Sequence, residues 1–271
     1  MIFKKLVHIL FKFVRKYNKM KILVSPAKKL DFSDENYLLD STVSNFLLQS
    51  KTIMRSLSSL SVLDLSKLMK LSNNLSILNY DRNQNWKLPI TENKGKQALL
   101  SFKGEVYQSM KIEGFSKEDF EFANQNLRIL SGLYGILKPS DLILPYRLEM
   151  GAKLVIGEDK NLYHFWKETL TNHLLKEIKE DSFLVNLASD EYFKVMDKKS
   201  IPIPIITPIF KDIKNGKPKV ISFFAKRARG EMCNFIIKNK INSIEELKKF
   251  NKNNYQFSEE ESNENNLVFI R

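Results

Sequence analysis

Four short stretches carry residue types that could do chemistry. In "LSGLYG", residues 130–135, Gly132 and Gly135 stand three apart among Leu130, Leu133 and Ile136, with Lys138 just beyond. Glycine tolerates positive φ and lets a phosphate approach backbone amides, so Ser131, Gly132, Leu133, Tyr134 and Gly135 fit a helix-hairpin-helix turn that grips DNA. The usual hairpin of this kind has its glycines two apart, and a plain turn is the alternative. Tyr134 either stacks on a base or fills the core. Lys138 would add a phosphate contact.

In "FFAKRARG", residues 223–230, a helix expected to begin near Ala225 puts Lys226, Arg227 and Arg229 in its first turn. The positive end of the helix dipole disfavours cations there, which asks for a compensating anion. A carboxylate such as Asp190, Glu191 or Glu149 could supply it, and so could a phosphate. Eight of the 44 basic residues are arginines and two of them sit in this turn, which weights the choice toward phosphate. In "PYRLEMG", residues 145–151, strand alternation puts Arg147 and Glu149 on one side, to pair with each other or to serve a ligand. "NLASDEY" ends a strand with Asp190 and Glu191, and carboxylates at strand ends can act as acid and base. The only histidines, His8, His164 and His173, show no metal or triad spacing, and Cys233 is the single cysteine. No catalytic residue is assigned on these grounds, and no cofactor or stable metal is expected.

These stretches need a scaffold. The chain has 271 residues, 43% of them hydrophobic, enough to fill a core. Its formal charge is +13; residues 1–19 contribute six cations and no acid, leaving +7 to the remainder. Such a balance fits a polyanionic partner, although 36 of the basic residues are lysines, as an AT-rich genome would give. Residues 1–19 form one unit, a basic amphipathic helix with Phe3, Leu6, Val7, Leu10, Phe13, Val14 and Tyr17 on one face. The segment is too short to span a bilayer and lacks a cleavage site, so it reads either as a membrane-surface helix or as an extension upstream of a true start at Met20. The second reading is preferred, and membrane contact is not expected.

From Lys21, "KILVSP" reads as a buried strand broken by Pro26, with Lys28 and Lys29 in the loop that leaves it. Two or three amphipathic helices are expected over residues 40–82. A helix starts at Ser116 with Asp119 in capping-box position, and another covers 161–180. "SFLVNLAS", residues 182–189, is a second buried strand. In residues 204–224, Asn215-Gly216 marks a type I′ hairpin, and "LVFIR" closes the chain as a strand. No repeat or linker divides residues 20–271, so the expected architecture is one α+β domain, a mixed sheet surrounded by helices.

Five segments taken together, "SPAKKLDF", "LRILSGLYGILKPSDLILPYRLEMG", "LYHFW", "NLASDEYF" and "ISFFAKRARGEMCNFII", resemble the YaaA peroxide-stress family of bacterial cytoplasmic proteins, in order and spacing, from Met20 onward. The resemblance implies a single-domain α+β protein with the topology called the cantaloupe fold. It also implies a positively charged cleft, a helix-hairpin-helix-like element, binding of duplex and distorted DNA, and a part in limiting iron-driven damage during hydrogen peroxide stress. By position the hairpin role falls on Ser131 to Gly135. Phosphate contacts are inferred at Lys28, Lys29, Lys138, Arg147, Lys226, Arg227 and Arg229. Without an iron ligand cluster the effect on iron reads as indirect. The alternative is an enzyme acting on a nucleic acid or nucleotide, with Asp190, Glu191 or Glu149 as acid or base.

Overall fold

A computed structural model describes residues 19–33 and 40–271; the amphipathic segment read from the first residues lies outside them, save Lys19. The run of aliphatic residues after Lys19 forms β1 (Lys19–Val24), followed by the two-residue β2 (Lys29–Leu30). Three helices come next, α1 (Leu47–Ser58), α2 (Val62–Met69) and α3 (Asn73–Asn85). Ser61 starts α2 by a reciprocal capping box with Asp64, and Lys70 ends it in the left-handed region. Short pieces then alternate: β3 (Lys96–Gln97), α4 (Ala98–Ser101), β4 (Phe102–Lys103) and α5 (Glu105–Met110). Helix α6 (Lys117–Asn126) begins at Ser116 with the expected Asp119 capping box and runs straight into β5 (Leu127–Ser131).

Beyond β5 lie β6 (Gly135–Leu137), β7 (Leu142–Ile143), α7 (Leu162–Glu177), β8 (Asp181–Asn186) and the one-turn α8 (Asp190–Phe193). The chain then forms β9 (Ile205–Lys214), β10 (Lys217–Lys219), α9 (Ser222–Asn239), α10 (Ile244–Leu247), β11 (Gln256–Ser258) and β12 (Asn266–Ile270). Asn215 and Gly216, at φ of 55° and 72°, make the expected tight turn between β9 and β10. Strand β11 had no counterpart in the sequence reading.

The main sheet runs β11-β12-β9-β8-β1-β5-β6, with β10 added beside β9. Strands β12, β9, β8, β1 and β5 are mutually parallel, and the pairs β5–β6, β9–β10 and β11–β12 are antiparallel. Burial on both faces is what a parallel sheet covered by helices requires, and Ile22, Leu23, Val24, Leu184 and Val185 are fully buried. The result is a single α/β domain with a mixed sheet flanked by helices. One apolar cluster spans it, with Trp166, Tyr134 and Tyr255 among its largest buried side chains.

Two expectations are corrected by this architecture. Gly132 to Gly135 join strands β5 and β6, so the turn belongs to a β-hairpin and not to a helix-hairpin-helix element. A short unbroken apolar run fits a buried strand and a helix equally well by periodicity, and here sheet pairing decided. Ser131, Gly132, Leu133, Tyr134 and Gly135 are all buried. Ser131 Oγ accepts the Leu133 and Tyr134 N–H groups at 3.2 and 2.9 Å, so those amides are already satisfied within the turn. Tyr134 fills the core, its hydroxyl accepting hydrogen bonds from Trp86 Nε1 and from the Leu144 N–H.

The second correction concerns the last long helix, which begins at Ser222, three residues before the expected start. Lys226, Arg227 and Arg229 therefore lie beyond its first turn. The dipole penalty falls off within that turn and no longer demands an anion.

Candidate functional site

In an open parallel sheet, ligands bind outside the carboxyl ends of two adjacent strands whose connections leave in opposite directions. Here those strands are β1, whose next parallel neighbour in sequence is β5 on one side, and β8, which leads to β9 on the other. The two carboxyl-end loops meet: the Ser189 N–H donates to Ser25 Oγ at 2.9 Å, and the two hydroxyls lie 3.2 Å apart. Tyr107 from α5 closes the floor by donating its hydroxyl to the Ser25 carbonyl at 2.9 Å.

Charged groups converge on this crevice from several elements. Glu149, in the loop after β7, receives Lys28 from the loop after β1 and Arg147 from its own segment, both at 3.1 Å and both on Oε1. The expectation that Arg147 and Glu149 share a side is met as an ion pair. Glu149 Oε2 is buried and has no hydrogen-bond partner among the described residues. Glu191, at the start of α8, accepts the Gly151 N–H at 3.1 Å. Asp190 beside it is exposed and attracts Arg229 of α9, whose guanidinium pKa is lowered by burial and supported by that carboxylate. Thus Lys28, Arg147, Arg229, Glu149, Asp190 and Glu191 of the sequence reading come together at one strand-end crevice.

Other candidates stand apart. Lys138 follows β6, which runs antiparallel to β5, and so emerges at the opposite end of the sheet; its N–H donates to Asp141 Oδ2 at 2.8 Å. That end-to-end separation removes Lys138 from the cleft set. Lys29 is exposed and sits across the β2–β4 ladder from Lys103. Lys226 and Arg227 are exposed on α9, with the Arg227 guanidinium over the Phe223 ring at 5.9 Å.

Several crevice residues escaped sequence reasoning. Arg82, near the end of α3, is partly buried and near enough to Arg147 that burial and then the like charge both lower its pKa. Its rarity among lysines was the available signal. Tyr107, Tyr146 and Tyr192 are buried tyrosines whose hydroxyls are pushed up in pKa, first by burial and then by nearby groups: Tyr146 acts on Tyr107 and Tyr192, and Tyr134 and Glu149 act on Tyr146. Tyr146 exchanges a 2.7 Å hydrogen bond with Ser131, tying the β5 end to the Arg147 segment. Nothing about isolated tyrosines distinguishes such a role in a sequence. Gly132 is explained by the close approach of the same segment, because a Cβ there would overlap the Leu148 carbonyl.

Among the described residues no group of three or more His, Cys, Asp or Glu is placed to hold a metal, and no helix is long and apolar enough to cross a membrane. Cys233 is buried, and that burial raises its thiol pKa well above the ordinary range. Such a thiol is a poor nucleophile. Chemically, the crevice offers two things: cations able to take an anion, and a carboxylate with one unfilled oxygen able to accept a hydrogen bond or a proton.

Fold and site together define a mixed-sheet α/β protein with a charged strand-end crevice. The family model for peroxide stress protein YaaA matches residues 20–261, and the chain belongs to that family. Among its relatives are UPF0246 proteins of Colwellia psychrerythraea, 49% identical over 93% of this chain and 99% of that protein, and of Flavobacterium johnsoniae, 46% identical over 93% and 100%. A UPF0246 protein of Clostridium beijerinckii is 48% identical over 93% of this chain and 98% of its own length. The description of that family suggests a role in oxidative stress.

Proposed function

We propose that this protein serves the hydrogen peroxide response in the cytoplasm by binding DNA, duplex and distorted, at the carboxyl-end crevice. The carrying observation is that cations from four separate segments reach the carboxyl-end loops: Lys28 and Arg147 meet on Glu149, Arg82 lies within electrostatic reach of Arg147, and Arg229 within reach of Asp190. Guanidinium groups suit phosphate by their planar, forked geometry, and sites spread over several elements follow a curved backbone better than one helix can. Lys29, Lys226 and Arg227 extend the positive surface. A crevice that bends its ligand favours interrupted duplexes, because flexible DNA costs less to deform. Protection from iron-driven damage would follow indirectly, through the DNA.

The test is binding of a fluorescent bulged duplex and its intact counterpart across a salt series, using the full chain and its Lys28/Arg147/Arg229→Ala variant. The expected result is tighter binding of the bulged duplex and a salt dependence that flattens by about 0.9 in log–log slope per phosphate contact removed. Equal binding by the variant would remove the crevice from the interface.

A second reading is favoured by one observation, the buried unpartnered Oε2 of Glu149 at a strand end. An unfilled buried carboxylate oxygen costs roughly 1–3 kcal/mol, and enzymes retain such groups as acid, base or substrate acceptor. In this reading the crevice acts on a nucleic acid or nucleotide, with Glu191 and Asp190 assisting. Absence of any strand cleavage, base release or nucleotide turnover across such substrates would end it.

A further inference from the structure

We propose that the β9–β10 ribbon is a duplex-docking arm, separate from the crevice, whose lysines seat on the phosphates of a nucleic acid; this rests on the reading of the chain as a DNA binder. Residues 213–230 contain Lys214, Lys217, Lys219, Lys226, Arg227 and Arg229 and no acid. Lys211 nearby is held by Glu261 at 2.6 Å. By contrast, none of the ion pairs among the described residues includes Lys214, Lys217, Lys219 or Lys226.

The register concentrates that charge. Lys214 stands directly across from Lys217, and Lys219 across from Asp212, so all three lysines project from one face of the ribbon. Asp212 offers no relief, because it is buried and already engaged by Arg271 at 2.6 Å and by the Tyr255 hydroxyl at 3.0 Å. Like charges directly opposite in a ladder repel, and a polyanion would convert that repulsion into binding. A two-stranded ribbon is also of a size that a duplex groove admits.

The opposite face carries Ile213, Pro218 and, by alternation, Val220, with Ile213 54% and Val220 55% exposed. A lipid surface is the competing partner for an arm with both characters. To bury Ile213 and Val220 in lipid, however, the ribbon would have to turn Lys214, Lys217 and Lys219 away from the headgroups. A duplex engages the lysine face directly.

The arm is tested with the full chain, its Lys214/Lys217/Lys219→Ala variant and the crevice variant above. Binding of a short fluorescent duplex is followed across a salt series, and a second assay uses phosphatidylglycerol vesicles. The expected result is a salt slope about 2.7 smaller in the arm variant, from three lost contacts at about 0.9 each, with the thermal melt unchanged. If the full chain binds duplex and the arm variant keeps its slope, the arm is overturned while the crevice reading stands. If the full chain binds no duplex, both fall. Vesicle binding that the arm variant loses, with its duplex slope unaltered, reassigns the ribbon to a membrane surface.

Discussion

The two ends of the central sheet each hold an arginine–glutamate pair, and they differ in how completely the charges are satisfied. At the amino end, Arg128 of β5 grips both oxygens of Glu177, at 2.8 to 3.1 Å, and donates from Nη1 to the Asn124 and Leu127 carbonyls. At the carboxyl end, Lys28 and Arg147 crowd one oxygen of Glu149 and leave the other without a partner. The first arrangement spends its hydrogen-bonding capacity internally and fastens α7 to the sheet. The second leaves one acceptor oxygen unused, as is Asp181 Oδ1 at the amino end of β8, and at the crevice two cations, Lys28 and Arg147, stand on the other oxygen.

That contrast is broken most severely at Arg128. Replacing it with Ala leaves the half-buried Glu177 without its hydrogen-bonded partner, an expected loss of about 3 kcal/mol in chemical denaturation. Arg147→Ala leaves Lys28 on the equally shielded Glu149, so the carboxylate keeps a cation and the expected loss is smaller, about 1–2 kcal/mol. Equal losses would mean that the crevice pair is as structural as the other.

Acid sharpens the same comparison. Burial alone would raise the Glu177 carboxyl, but the His173 imidazole 3.6 Å away and the hydrogen bonds from Arg128 outweigh it and hold the pKa at about 2, below the ordinary 4.5. A depressed folded-state pKa means that the unfolded chain takes up the proton first as pH falls. The contribution of Glu177 with both partners, His173 and Arg128, is roughly 3 kcal/mol in total, present above pH 4.5 and lost progressively toward pH 2. Denaturation midpoints of the wild type and Glu177→Gln should converge across that interval; a constant gap would refute the assignment.

The smallest effect on stability is expected at Glu149, and it separates the two functional readings. Glu149→Gln removes the charge that partly neutralises Lys28 and Arg147. If the crevice binds phosphate, duplex affinity rises several-fold at low salt, since two cations are released toward the ligand. If Glu149 is an acid or base, affinity changes little and turnover disappears. A fall in duplex affinity would contradict the first reading directly.

Much of the scaffold was legible because local chemistry dictates it. Asn215-Gly216 supplies two positive-φ residues, Ser116 and Asp119 cap each other across one turn, and aliphatic runs mark β1 and β8. The Gly132–Gly135 turn was misread for an equally physical reason: a glycine pair between apolar runs permits a hairpin of helices or of strands. Partners far away in the chain, β1 beside β5 and Leu148 against Gly132, decided between them. Likewise the helix holding Arg229 gained an extra turn because Ser222 to Phe224 adopt helical geometry directly after β10, where the sequence offers no capping residue with a side-chain bond.

By itself, then, the sequence determined most of the element types, the family, the basic balance and that Arg147 and Glu149 share a side, all matters of composition or of residues a few positions apart. The tertiary structure alone decided where function can sit. Ser25 and Ser189 are 164 positions apart and meet only because β1 and β8 become neighbours at the reversal of the sheet order. The same packing buried the glycine turn, sent Lys138 to the far end and left Glu149 with an open oxygen. Burial and long-range pairing are properties of the whole chain, and no local window carries them.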